Sequence, residues 1–280
     1  MSSSSPESVP SNFTNDSAMM IAHERFLESS RSDALFDDPF AKAMASDKGE
    51  ALSANFGANC AIFNLTDWPE FHKVWTSVRT KFINDTVLAL SSTGGFRSLV
   101  NLGAGYDTRA FHLKCYENFT NGAYEVDMAI VNEQKVTILR EFLGSPTPLC
   151  PTNNVNLDFL SETSLAKALG ETSFDASKPA IFLSEGLIMY LGEVGKHKLI
   201  REFSEVAAPG SKLILQFMED EKNNSPHALS QEDCSAALTE GGWDGIEYFR
   251  FGDSTLNYNR FPTERFGPQS AFSFCTASKK

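Results

Sequence analysis

Two glycines one residue apart, Gly103 and Gly105, follow the short apolar run Leu99-Val100-Asn101-Leu102. Further along, Asp127, Asp158 and Glu185 each close another short apolar run. Glycine lets the backbone turn sharply and removes the Cβ that would hold a ligand away. Carboxylates next to such a turn accept hydrogen bonds from hydroxyl groups and favour a cation. The set therefore suits a polar ligand carrying hydroxyls and positive charge. Phosphates fit it poorly. A phosphate-binding loop needs Gly-Lys-Ser/Thr where Tyr106-Asp107-Thr108 stands. A dinucleotide loop wants a third glycine or alanine where Thr108 stands, and Asp107 would face the pyrophosphate. A plain turn is the competing reading of the two glycines.

The acidic residues narrow the choice. Asp127 lies about 20 positions beyond the glycine loop, where an acidic side chain reaches both ribose hydroxyls. It is equally a candidate cap for a helix starting at Met128. Asp158 is placed to accept the exocyclic amine of an adenine, with Phe159 packing near the ring, or to cap the next helix. Four successive strands thus end at Gly/Asp, Asp, Asp and Glu, which points to one polar cleft. S-adenosylmethionine fits these demands. It has a ribose and adenine, a sulfonium and an amino group, and no phosphate.

The elements that must position these residues are legible as periods. Short apolar runs at 99–102, 123–126, 155–157, 180–183 and 212–217 alternate with helical stretches at about 128–142, 161–169 and 193–207. That alternation predicts βαβ units and a parallel sheet covered on both faces. Pro209-Gly210 makes a turn before the fifth strand. A helix near 228–240 and two alternating runs at 245–251 and 271–277 follow, the last two as an antiparallel pair at one edge. Before the first strand, helices are expected at 15–30, at 39–46 after the turn Asp37-Asp38-Pro39, and from Trp68 to about Leu90. Residues 47–66 show no period and read as loop.

Composition excludes some partners. The 280 residues carry a formal charge of −12, which repels nucleic-acid backbones and anionic membranes. No apolar run approaches the roughly 18 residues of a membrane span. The polar start, residues 1–14, reads as a disordered tail ahead of a single domain over 15–280. Five scattered cysteines without a CxxC pair argue for reduced thiols, a cytoplasmic location and no metal site.

The strings SLVNLGAGYDTRAFHL, YEVD, LDF and IFLSEGLIMYL resemble the S-adenosyl-L-methionine-dependent methyltransferase family that contains the leucine carboxyl methyltransferases. ESSRSDALFDDPFA and VRTKFIND resemble the family's segments before its first strand, and the likeness spans about residues 17–220. The resemblance implies an α/β class I methyltransferase (Rossmann-like) fold: a seven-stranded, mostly parallel sheet with a reversed strand at the edge. It also implies helices on both faces and an N-terminal helical lid, here residues 15–95, over a core at 96–280. Carried over motif by motif, Arg79 would pair with the cofactor's carboxylate and Gly103 and Gly105 would line its amino-acid portion. Asp127 would hold the ribose, Asp158 and Phe159 the adenine end, and Glu185 the surroundings of the amino group. Arg31, in ESSRS, would supply a second cation above the site. No segment matches a contact with a protein tail, so the small-molecule relatives are the nearer comparison.

The expected reaction is in-line methyl transfer to an oxygen, a carboxylate by preference, of a small-molecule acceptor. A carboxylate is already ionised at neutral pH, so no general base is named. His112 reads as structural, while His23 and His72 have no partner that the sequence identifies. Tyr190, Phe56, Phe63, Trp68 and Trp75 are candidate walls of the acceptor pocket. Transfer to sulfur or nitrogen, a non-enzymatic cofactor-binding protein and an NAD(P)-dependent oxidoreductase are the alternatives.

Overall fold

A computed structural model describes residues 11–55, 68–93, 95–219, 225, 227–261 and 271–280. Seven strands form one sheet in the order β3-β2-β1-β4-β5-β7-β6. They are β1 (Ser98–Leu102), β2 (Gly122–Asp127), β3 (Thr152–Asn156), β4 (Ile181–Ser184), β5 (Lys212–Met218), β6 (Trp243–Arg250) and β7 (Phe272–Lys279). The first five pair in parallel, and β7 runs antiparallel to both β5 and β6. The reversed strand is therefore not at the edge, as the family resemblance implied, but one place in from it.

The helices are α1 (Ser11–Ser29), α2 (Ala41–Ala45), α3 (Gly49–Asn55), α4 (Trp68–Thr93), α5 (Arg109–His112), α6 (Ala129–Glu141), α7 (Leu165–Gly170), α8 (Gly192–Val206) and α9 (Gln231–Glu240). Along β1, Val100 and Leu102 enter the core cluster that also holds Leu199 and Phe203 of α8, while Leu99 enters the cluster with Trp75, Val78 and Ile83 of α4. Both faces of the strand are buried, which is why it reads as a continuous apolar run rather than an alternating one. A third cluster joins Met19 and Ala22 of α1, Met44 and Ala45 of α2, Tyr106 of the glycine loop, and Val131 and Ile138 of α6. It seats α1 across the loop after β1.

Three boundaries differ from expectation. Residues 11–14, read as tail, begin α1, and residues 1–10 lie outside the described residues. The expected loop 47–66 contains α3, and its remainder from 56, with Phe56 and Phe63, lies outside the described residues. The third strand begins at Thr152 rather than Val155 because β3 is an edge strand, whose Thr152-Asn153-Asn154 are only partly covered and carry no apolar run. Cys115, Cys150, Cys234 and Cys275 are free and buried, and Cys60 lies outside the described residues. No helix among the described residues is long and apolar enough to cross a membrane.

Candidate functional site

The chain runs β1-β2-β3 toward one side of the sheet and returns to lay β4 and β5 on the other, so the order reverses between β1 and β4. Ligands of open parallel sheets bind beyond the strands' carboxyl ends at that point. A cavity of about 1360 Å³, counted out to its open mouth, lies there. Its walls include Gly103 and Gly105 after β1, Asp127 ending β2, Asp158 and Phe159 after β3, Glu185 after β4, and Arg79 from α4. Seven of the eight residues expected at the site are thus brought together.

Arg31 is the exception. It lies past the end of α1, half exposed, 3.0 Å from Asp33 and 3.7 Å from Glu28. The inward face of α1 is Ser17, Ala18, Ile21 and Arg25, and the cation that reaches the cavity is Arg25. Its Nε lies 2.9 Å from Asp38 Oδ2, and its Nη2 donates to the Tyr106 carbonyl at 2.7 Å. Helical spacing decides this, because 18, 21 and 25 share a face and 31 is beyond the last turn.

Gly103 (φ +72°) and Gly105 (φ +49°) both occupy left-handed backbone. A Cβ on Gly103 would stand 2.9 Å from Leu187 Cβ, so close packing of the loop after β4 requires glycine there, ligand or not. A Cβ on Gly105 would meet Ala18 Cβ at an ordinary 3.6 Å. Gly103→Ala is expected to lower unfolding stability by about 1–3 kcal/mol through overpacking and strain. Gly105→Ala should cost less. Equal denaturation midpoints for the two variants would refute the Leu187 contact.

Asp127 serves two backbone groups. Its Oδ2 accepts from Gly105 N and its Oδ1 from Met128 N, both at 2.7 Å. The carboxylate thus ties the glycine loop to the start of α6 while still facing the cavity. Burial pushes its pKa up, and the two amides offset only part of that. Asp158 does not cap α7. Its Oδ1 accepts from Leu160 N, and Ser164 holds the cap.

A buried charge network joins the strand ends. Arg109 Nη1 donates to Asp107 Oδ2 at 2.7 Å and to Glu185 Oε2 at 2.9 Å, while its Nε donates to Asn84 Oδ1 of α4 at 2.7 Å. Arg79 Nε lies 2.7 Å from Glu185 Oε1, an ion-pair contact without hydrogen-bond alignment. Burial acts to raise Asp107, but Arg109 and then Lys135 bring it down to about 2. Burial likewise acts to raise Glu185, and Arg109 with Arg79 holds it below the usual range. Asp107, which the sequence placed at the loop only as an obstacle to phosphate, is a member of this network.

Three lining residues, Asn101, Met189 and Phe272, escaped the sequence reading. Asn101 lies within an otherwise apolar strand. Its Nδ2 donates to Asp107 at 2.8 Å and its buried Oδ1 faces no partner among the described residues. A polar residue inside a buried run was the available signal. Tyr190, Trp75 and His72 line the cavity together with Met189 and Phe272. Trp68 belongs to the core, His23 does not line the cavity, and His112 stands 3.7 Å from Asp38.

Among the residues lining the cavity, Arg25 and Arg79 face Asp107, Asp127, Asp158 and Glu185, two more carboxyl groups than guanidinium groups. Such a lining attracts a cation and opposes a diphosphate.

Comparison with known proteins adds sequence and fold relatives. The family described as leucine carboxyl methyltransferase matches residues 18–204. A Mycobacterium marinum protein provisionally named an S-adenosyl-L-methionine-dependent methyltransferase is 30% identical over 213 residues, covering 75% of this chain and 68% of that one. A similarly named Parafrankia protein is 30% identical over 250 residues, covering 84% and 74%. Among solved structures, a protein from Thermobifida fusca provisionally titled a methyltransferase superposes with a TM-score of 0.56 at 14% identity, over 93% of this chain and 94% of that one. A duf574 family protein from Streptomyces avermitilis gives 0.53 at 18% identity, over 92% and 97%. These two likenesses concern the fold.

Proposed function

The chain belongs to the leucine carboxyl methyltransferase family, and from that premise we propose that it transfers the methyl group of S-adenosylmethionine to an oxygen of a small-molecule acceptor. The observation that carries the reading is the convergence of Asp107, Asp127, Asp158 and Glu185 on one cavity where carboxyl groups outnumber guanidinium groups. Bound there, S-adenosylmethionine supplies a methyl group on a cationic sulfur.

The residues present fit that group. The unpartnered Asn101 Oδ1 is a ready acceptor for an ammonium. Asp127 offers two carboxylate oxygens to ribose hydroxyls, each with lone-pair capacity beyond its amide partner. Asp158 and Phe159 would hold the adenine end, and Gly103 and Gly105 the amino-acid portion. Arg79 would meet the cofactor's carboxylate and Glu185 its ammonium. The acceptor would lie against Trp75, Phe272, Met189 and Tyr190. Alignment of the two reactants is the chief contribution, since well-oriented reactants can gain roughly 7–11 kcal/mol over free encounter.

Calorimetry tests the reading. S-adenosylmethionine and its demethylated product should bind, and NAD and NADP should not; the reverse preference would overturn it. Arg79→Ala is expected to weaken S-adenosylmethionine more than 5′-methylthioadenosine, which lacks the carboxylate. Equal losses for both ligands would assign Arg79 to packing with Glu185.

A further inference from the structure

The residues assigned to the cofactor occupy neighbouring strand ends. Along β3-β2-β1-β4 they are Asp158, Asp127, Gly103 with Gly105, and Glu185. The cavity continues past them. Phe272, the first residue of β7, also lines it, and β7 lies two places beyond β4, about 10 Å away at the usual strand spacing. β7 runs antiparallel to β5 and pairs Phe272 with Met218, so Phe272 stands at the carboxyl end of the parallel strands. Between these two limits, the turn Ile188–Tyr190 packs against β5, and its Met189 and Tyr190 line the cavity. Trp75 of α4 completes this end, 5.0 Å from Phe272 between ring centroids.

The chemistry changes along the cavity. Asp107, Asp127, Asp158 and Glu185 all stand at or just after the ends of β1 to β4. No lining residue from the turn Ile188–Tyr190 or from β7 carries a charge. Arg79 is held against Glu185, Arg25 against Asp38 and the Tyr106 carbonyl, and His72 Nδ1 lies 2.8 Å from Glu24 Oε2. The far wall is a packed aromatic cluster, since Trp75 also meets Phe251 at 4.9 Å between centroids. An apolar group laid against such a wall gains from leaving water. A charged group would lose its hydration there and meet no counter-ion from the wall.

We infer that the acceptor carries its reacting oxygen on an apolar body, uncharged away from that oxygen, and that Met189 and Phe272 select for that body. The inference rests on the methyltransferase reading and names the substrate class within it. The reacting oxygen faces the cationic sulfur, so a carboxylate and a hydroxyl are both admitted at that point. The remainder of the acceptor meets the aromatic wall. A free amino acid would bring its ammonium there, and a dicarboxylic acid its second carboxylate. An aryl or alkyl acid or alcohol brings neither.

Calorimetry with a series of cofactor analogues tests this with no acceptor in hand. In each analogue a nitrogen replaces the sulfur of S-adenosylmethionine and carries one arm in place of the methyl group: methyl, butyl, benzyl, 2-carboxyethyl or 2-aminoethyl. The arm enters the space that the acceptor takes. The butyl and benzyl analogues should bind the wild type roughly tenfold or more tightly than the methyl analogue, since each buried methylene is worth up to about fourfold. Neither charged arm should gain over methyl. Met189→Gln keeps the side chain's length but sets an amide in the wall, and should cut the benzyl-over-methyl preference by about fivefold. Phe272→Leu removes a ring face and should cut the benzyl preference more than the butyl preference. An apolar arm that gains nothing, or a charged arm that gains as much as benzyl, would overturn the inference, and that comparison in the wild type depends on no variant's folding. A benzyl preference unchanged in both variants would overturn the selection by Met189 and Phe272. Failure of both S-adenosylmethionine and the methyl analogue to bind would instead overturn the reading beneath it.

Discussion

Replacing Arg109 by methionine is expected to lower the stability of the fold by about 3–5 kcal/mol. Arg109 is the shared cation of Asp107 and Glu185, and its Nε also holds Asn84 of α4. Methionine fills comparable space but leaves two buried carboxylates without their principal partner. Breaking a buried pair costs more than the pair itself contributes, because the remaining charge keeps its desolvation penalty. The pH dependence makes the prediction specific. Asp107 is held at about 2 in the folded protein against an ordinary 3.8. A depressed carboxyl contributes stability above its unfolded value and loses it as pH falls toward the folded one. The wild type should therefore lose on the order of 2 kcal/mol from Asp107 between about pH 5 and pH 2. In Arg109→Met, Lys135 and Arg79 remain, but each carboxyl loses the largest influence opposing burial, so both protonate at a higher pH than in the wild type and the variant loses less on acidification. The stability difference between the two proteins should shrink on acidification. A difference that does not change with pH in denaturant titrations would remove Arg109 from its role as counter-ion.

Asp127→Ala is expected to weaken S-adenosylmethionine binding by about 1–3 kcal/mol, or roughly 5- to 150-fold in dissociation constant. Two losses combine. The ribose hydroxyls lose a buried acceptor, and Gly105 N and Met128 N lose the carboxylate that ties the loop to α6. Because the ribose is common to both ligands, 5′-methylthioadenosine should lose affinity by the same factor, in contrast to the expectation for Arg79→Ala. Burial, the larger influence, raises the Asp127 pKa above its ordinary 3.8. The carboxylate then protonates at a higher pH than a solvated aspartate would, and one of its acceptor oxygens becomes a donor. Cofactor affinity should accordingly decline on acidification while the pH is still above the usual aspartate range. An unchanged dissociation constant in the variant would take Asp127 out of the site.

Much of this protein was legible from local chemistry. Residues buried on both faces of a parallel sheet make short apolar runs, so β1, β2, β4 and β5 appear in the sequence within a residue or so of their bounds. Helical spacing marked α4, α6 and α8 for a similar reason. Edge strand β3 was misplaced because partial exposure allows Thr152-Asn153-Asn154, which carry no apolar period. Arg31 does not line the cavity, because a motif marks a residue's neighbourhood and not the helix end that turns its side chain outward.

What the sequence by itself determined was the order of elements and the residue type at each strand end, because those depend on contacts within a few positions of the chain. Which carboxylate meets which cation was decided only by the tertiary structure. Glu24 and His72 are 48 positions apart, and Arg109 and Glu185 are 76. Desolvation leaves a buried charge to find whichever opposite group the packing brings near. That choice is made by how α1 and α4 settle over the sheet, and no local period records it.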